Sequence, residues 1–253
     1  MSNTNKKAIF INYLYCVFVV VLFLNGNMEK LLKNMRVDVN SDIYIKDPFS
    51  SDLGKEIVTQ SLDLIPELGL EHFTFKKLSV KVGCTESAIY RYFENKHKLM
   101  LFLTLWYWGY LEQNLILCTI NIKDPKERLL IAIKILVKGP IYIVNDYIDP
   151  VSLKRVLVDE STKAYLTKEV DEDYKNGFFN LYNRLGERIA SIILEINPKY
   201  EFPKTLVSTV MESSLLQSYY SKHIPSLTDI HPMDNKRVDF FQKLVFKAIE
   251  NEN

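Results

Sequence analysis

Glycine, proline and cysteine are all scarce in this chain of 253 residues, at eight, nine and three. With so little turn material, and with Leu, Ile, Lys and Glu abundant, a fold rich in sheet is excluded and an all-α fold is expected. The cysteines, Cys16, Cys84 and Cys118, are odd in number, far apart and outside any CxxC or Cys/His cluster. Disulfide scaffolding and structural zinc are therefore not expected, and a reducing cytosol fits. Charge of one sign is missing as well: 32 Lys and Arg stand against 31 Asp and Glu. Any nucleic acid, membrane or polyanion must be met by a local patch. Catalytic signatures are absent too, with no Ser/His/Asp elbow, Gly-rich phosphate loop or HExxH, so neither an enzyme nor a cofactor is expected. His223, Asp229 and His231 match no zinc spacing and read as solvated loop residues.

One long hydrophobic run is present, at residues 8–24, AIFINYLYCVFVVVLFL. Its 17 residues sit at the short limit for a membrane span, and no small-x-small cleavage site follows. Two readings stand: a genuine anchor, or upstream DNA read in frame before a true start at Met28 or Met35. Residues 36–51 read as a mobile arm closed by Asp47-Pro48 and two serines.

From Asp52 the helical period recurs, with Ile57, Leu62, Leu64, Ile65 and Leu68 in a stripe that stops at Gly69, after a distortion at Pro66. A run at 99–120 is apolar nearly all round, the signature of a helix buried between others. Further helices start at Pro125 and Pro203, span 178–196, and close the chain at 237–249, with shorter pieces over 141–170.

Residues 69–99, GLEHFTFKKLSVKVGCTESAIYRYFENKHKL, carry the most information. Thr74 stands at an N-cap position with Phe73 and Leu78 as a hydrophobic staple, and Thr85 repeats this with Cys84 and Ile89. Gly83 supplies the tight turn between two short helices, the arrangement of a helix-turn-helix. On the second, Ile89 and Phe93 face the core while Ser87, Tyr90, Arg91 and Glu94 make the opposite face. From His72 to Lys98 six basic residues, Lys76, Lys77, Lys81, Arg91, Lys96 and Lys98, stand against Glu86 and Glu94. The preceding segment, 52–71, has the single cation Lys55 against five acids, so a neutral chain is locally polarised.

This segment resembles the DNA-binding domain of the tetracycline-repressor (TetR/AcrR) family of bacterial regulators. Thr74, Leu78, Ser79, Gly83, Cys84, Thr85, Tyr90, Phe93, Lys96 and Leu99 occupy the pattern's places, with Cys84, Thr85 and Val82 as departures tolerable in volume. The resemblance covers roughly 50 residues and is specific at this spacing. It implies a DNA-binding domain at 52–98, an effector-binding and dimerisation domain at 99–253, and residues 1–51 as apolar segment and arm. It further implies that Thr74, Tyr90 and Lys96 contact phosphates, that Thr85, Glu86, Ser87 and Arg91 lie nearest base edges, and that Arg91 is the sequence reader. Tyr92 stands between core packing and a backbone contact.

The partners implied are a palindromic double-stranded DNA operator, a second copy of the chain, and a small apolar or amphipathic effector. The effector cavity draws its candidate lining from Phe102, Trp106, Tyr110, Tyr142, Phe178 and Tyr182, although core and pocket aromatics share one period. The dimer interface is expected on helices 175–196 and 204–222, with Ser214 in the seam. Cys84 reads as an inert small hydrophobe and, against that, as a redox switch. The rival function is a membrane-anchored signalling or lipid-binding helical protein; the leading one is a cytoplasmic, ligand-responsive repressor.

Overall fold

Side-chain caps organise many of the chain's helices. The computed structural model describes residues 36–141, 148–231 and 236–250. The apolar run 8–24, the start candidates Met28 and Met35, and Tyr142 lie outside the described residues. Among the described residues there are eleven α-helices, three 3-10 turns and no strand.

The 3-10 turns Ser41–Ile43 and Pro48–Ser50 lead into α1 (Asp52–His72), whose N-cap Ser51 accepts from the Gly54 amide. Next come α2 (Phe75–Val82), α3 (Glu86–Tyr90) and α4 (Lys96–Thr119), the last capped by Asn95. Asp124 and Asp149 cap α5 (Pro125–Lys138) and α6 (Pro150–Glu160), each with proline in its first turn, where the missing amide has no intrahelical partner anyway. The short α7 (Thr162–Tyr165) and α8 (Val170–Lys175) precede α9 (Asn180–Ile196), α10 (Pro203–His223) and α11 (Lys236–Glu250).

α1 bends where Pro66 and Gly69 stand: Gly69 has φ 73°, and the chain adds one further turn before Phe73. α4 is the axis of the fold. Leu99 to Leu111 is buried on every face, because α5, α6, α7 and α9 and the first 3-10 turn all pack on it. Each such Leu or Phe contributes about 1.5–3 kcal/mol of burial. Glu112 within this helix is buried with its carboxylate paired to Arg184 at 2.8 Å and Arg188 at 2.8 Å from α9. An acid in an apolar run is thus neutralised by two guanidinium groups.

Two expectations are corrected. The segment 36–51 is docked: Val37, Val39, Ile43 and Phe49 are buried, and the Ile45 amide donates to the Tyr92 carbonyl at 2.8 Å. Four apolar side chains at irregular spacing escaped any periodic reading. Ser214 faces inward, donating to the Leu136 carbonyl of α5 at 3.2 Å and the Met211 carbonyl at 2.9 Å, so it packs inside the protomer. α1 also packs on α6, and the described residues from Val37 onward belong to one compact unit. No helix among the described residues is long and apolar enough to cross a membrane.

Candidate functional site

Two places in the fold bear on function, the surface of α2 and α3 and a cavity beside α4. Thr74 caps α2 by accepting from the Lys77 amide at 3.2 Å. Gly83 ends it in the left-handed region at φ 74°, and the Cys84 amide closes the turn on the Ser79 carbonyl at 3.0 Å. Phe73, Leu78, Ile89 and Phe93 are all fully buried beneath the two helices, as the first staple requires, whereas Cys84 of the second is only half-buried and the Thr85 side chain makes no cap hydrogen bond. Outside, Thr85, Ser87, Tyr90 and Arg91 are exposed and Glu86 is half-buried. Thr85 Oγ1 lies 3.0 Å from Ser87 Oγ, and Tyr90 Oη reaches Glu86 Oε1 at 3.5 Å. The Tyr90 ring, 47% exposed, stands edge-on to Phe75 at 5.0 Å, next to Thr74. The structure thus brings together Thr74, Thr85, Glu86, Ser87, Tyr90 and Arg91, a set of hydroxyl, phenol and guanidinium donors with one acid.

Tyr92 and Lys96 stand apart from that face. Tyr92 is 3% exposed, its hydroxyl shares a hydrogen bond with Ser51 Oγ at 2.7 Å, and the Lys46 ammonium sits over its ring at 5.2 Å. Core packing is its role. Lys96 Nζ donates to the carbonyls of Leu70 at 2.8 Å, Glu71 at 3.2 Å and Phe73 at 3.4 Å. The bend at Gly69 leaves these carbonyls without amide partners at the negative end of α1, and an ammonium with three donors satisfies them. Lys98 turns inward as well, onto Asp173 at 3.0 Å. Lys76, Lys77, Lys81 and Arg91 remain exposed against Glu86 and Glu94, so the face stays positive by a smaller margin than a count of residues gives. Burial pushes the Cys84 thiol up from its ordinary value, which opposes thiolate chemistry there.

The cavity, about 390 Å³ in volume, opens between α4, α7, α8, α9 and α10. α4 contributes Thr104, Leu105 and Trp108; the chain from α7 to α8 contributes Tyr165, Leu166, Val170 and Tyr174. Phe179, Tyr182 and Asn183 come from the start of α9, and Glu212 from α10. Both phenols beside Glu212 donate to it: Tyr165 to Oε2, and Tyr182 to Oε1 at 3.0 Å. Burial first, then the Glu212 charge, push both phenols well above the usual tyrosine range. The Trp108 indole nitrogen is buried with no hydrogen-bond partner among the described residues.

Of the described residues expected to line a cavity, only Tyr182 does. Phe102 and Trp106 lie against Phe49 of the docked arm, with ring centroids 6.0 and 4.6 Å away. Tyr110 is buried outside the lining, and Phe178 lies under the Lys98 ammonium at 4.2 Å. Residues 102, 106 and 110 share one face of α4, and the cavity lies on the face of 104, 105 and 108. The one signal in the sequence is Thr104, a hydroxyl in an otherwise apolar turn.

No protein-family model matches the chain, and no curated protein is similar to it in sequence. Solved structures do share its fold. A bacterial regulatory protein of the TetR family from Rhodococcus RHA1 superposes with a TM-score of 0.54 at 12% identity, over 79% of this chain and 96% of that one. AibR, solved in complex with isovaleryl coenzyme A and operator DNA, gives 0.51 at 13% identity, over 75% and 97%. The fold is that of the TetR-family transcriptional regulators.

Proposed function

We propose that this chain is a ligand-responsive, sequence-specific DNA-binding regulator, a cytoplasmic repressor that binds a palindromic operator as a homodimer. The observation that carries the reading is the exposed donor set on α3 and its flanks, held by fully buried Phe73, Leu78, Ile89 and Phe93. A short helix fixed in this way is what enters a major groove, and its first residues meet base edges. AibR, of the same fold, was solved with both an operator and a small molecule, which supports pairing a DNA face with an effector cavity. For the dimer, α11 presents Phe240 and Leu244, four residues apart and 48% and 40% exposed, and a two-fold axis would use such a patch twice. The effector acts by preferring the conformer whose two recognition helices are wrongly spaced for successive grooves.

Genomic fragments captured by the protein supply the operator. Arg91→Ala is expected to lower operator affinity by about 1–3 kcal/mol and to relax preference at one position per half-site, leaving random DNA much less affected. Equal losses on both DNAs would make Arg91 a phosphate contact only. Light scattering of the same protein is expected to give twice the chain mass, and a monomer bound to a single half-site would remove the dimer.

A further inference from the structure

Among the described residues, Glu212 is the only charged side chain on the cavity lining. Two phenols donate to it, and no Lys, Arg or His forms an ion pair with it among the described residues. Hydroxyl donors satisfy lone pairs and bring no compensating charge, so a half-buried carboxylate keeps its field directed at whatever shares the cavity. Around it stand the rings of Trp108, Tyr165, Tyr174, Phe179 and Tyr182, and the Trp108 and Tyr182 rings meet edge to face at 5.2 Å. Aromatic faces carry the negative part of the ring quadrupole and attract a cation, most strongly where water is excluded. The remaining lining is Leu105, Leu166 and Val170 with the uncharged polar side chains of Thr104 and Asn183, so a bare metal ion or a small polar amine would leave most of the surface unused.

We infer that the effector is a lipophilic organic monocation, a quaternary ammonium, phosphonium or protonated amine carrying apolar groups, with its charge set against Glu212 inside the aromatic ring. The inference rests on reading this cavity as the effector site. An anionic head group finds no cation on the described lining, and a neutral apolar molecule leaves the carboxylate without a counter-charge. The volume of about 390 Å³ lies within the range of small-molecule sites.

Three probes of similar size and opposite or zero charge test it: tetraphenylphosphonium, tetraphenylborate and triphenylphosphine oxide. Each is titrated into the full chain while the fluorescence of Trp106 and Trp108 is followed. Tetraphenylphosphonium is expected to bind at least about tenfold more tightly than tetraphenylborate, with the neutral oxide between. Glu212→Gln, which keeps one carbonyl acceptor for the phenols, is expected to cost the cation about tenfold or more and the neutral probe less than about threefold. The comparison of the two ions in the unmodified protein needs no variant and holds even if Glu212→Gln folds poorly. Anion binding equal to or tighter than cation binding overturns the cation class while leaving the cavity a ligand site. So does a cation affinity that Glu212→Gln leaves unchanged. No response to any of the three probes would remove the cavity as the effector site and the inference with it.

Discussion

Three lysine side chains cap the C-termini of two helices, α1 and α5, and this changes how charge in the chain is to be counted. Lys77 Nζ donates to the His72 carbonyl at 2.9 Å, Lys96 to three carbonyls at the end of α1, and Lys154 to the Val137 carbonyl at 2.7 Å. In each case an amine donates where the helix dipole is negative. Lys154 is the extreme one, because burial above all, and then the neighbouring Arg237 charge, push its ammonium down to about 7. In the unfolded chain the same amine holds its proton to about its ordinary value of 10.5. Between those two values the unfolded state binds more protons, so raising the pH through that window favours the folded state. The stability of the natural protein relative to Lys154→Met is therefore expected to rise from pH 7 to pH 10, by at most about 1.4 kcal/mol per unit. Urea titrations of both proteins at several pH values measure it. A constant difference would mean that the amine is charged throughout.

Helix boundaries were legible wherever a side chain states them locally. Thr74, the first-turn prolines Pro125 and Pro203, and Gly83 mark helix ends in the sequence and in the fold alike. The facing of α4 was not, because a helix apolar on every side contains no information about which neighbour takes which face. The docked arm and the inward Ser214 were hidden for a related reason, since both depend on contacts made by residues far away in the chain. Gly54 was hidden by a nearer contact. It looks like a weak point in a helix, yet a Cβ there would lie 2.1 Å from the Pro48 carbonyl oxygen of the 3-10 turn that leads into α1. Backbone cannot yield cheaply, so Gly54→Ala is expected to destabilise by about 1–3 kcal/mol in spite of alanine's better helix propensity. A Cβ on Gly186 in α9 would meet no neighbouring element within 4 Å, and Gly186→Ala is expected to stabilise by about 0.5–1 kcal/mol. Denaturant unfolding of the pair checks the opposite signs, and two stabilising changes would show that propensity alone decides.

The cavity wall and the helix-turn-helix are joined by buried polar ties rather than by apolar packing alone. Asp173, 3% exposed, accepts from His97 Nε2 at 2.9 Å and Lys98 Nζ at 3.0 Å in the first turn of α4. It lies on α8 between Val170 and Tyr174, both of which line the cavity. Glu160, at the end of α6, accepts from the Leu70 amide at 3.2 Å just past the bend in α1 and pairs with Lys163 at 2.8 Å. Lys96 then stitches α1 to α4, so that the junction carrying α2 and α3 is reached from the cavity through named hydrogen bonds. A molecule that moves Tyr174 must move Asp173 or break its pairs, and a ligand shifts an equilibrium only by such a difference between states. Asp173→Asn keeps the volume and one acceptor while removing the charge. It is expected to leave ligand-free operator affinity within about threefold and to bring the ratio of operator affinities without and with tetraphenylphosphonium close to one, from a coupling of about 5- to 150-fold in the unmodified protein. Because removing one partner of a buried pair leaves the other uncompensated, the variant should also be less stable, and adding Lys98→Met should restore part of that loss. Operator binding with and without the probe decides the matter: stability lost with the ratio intact would make the Asp173 ties a brace for α4, and the message from the cavity would have to run through Glu160 and Leu70.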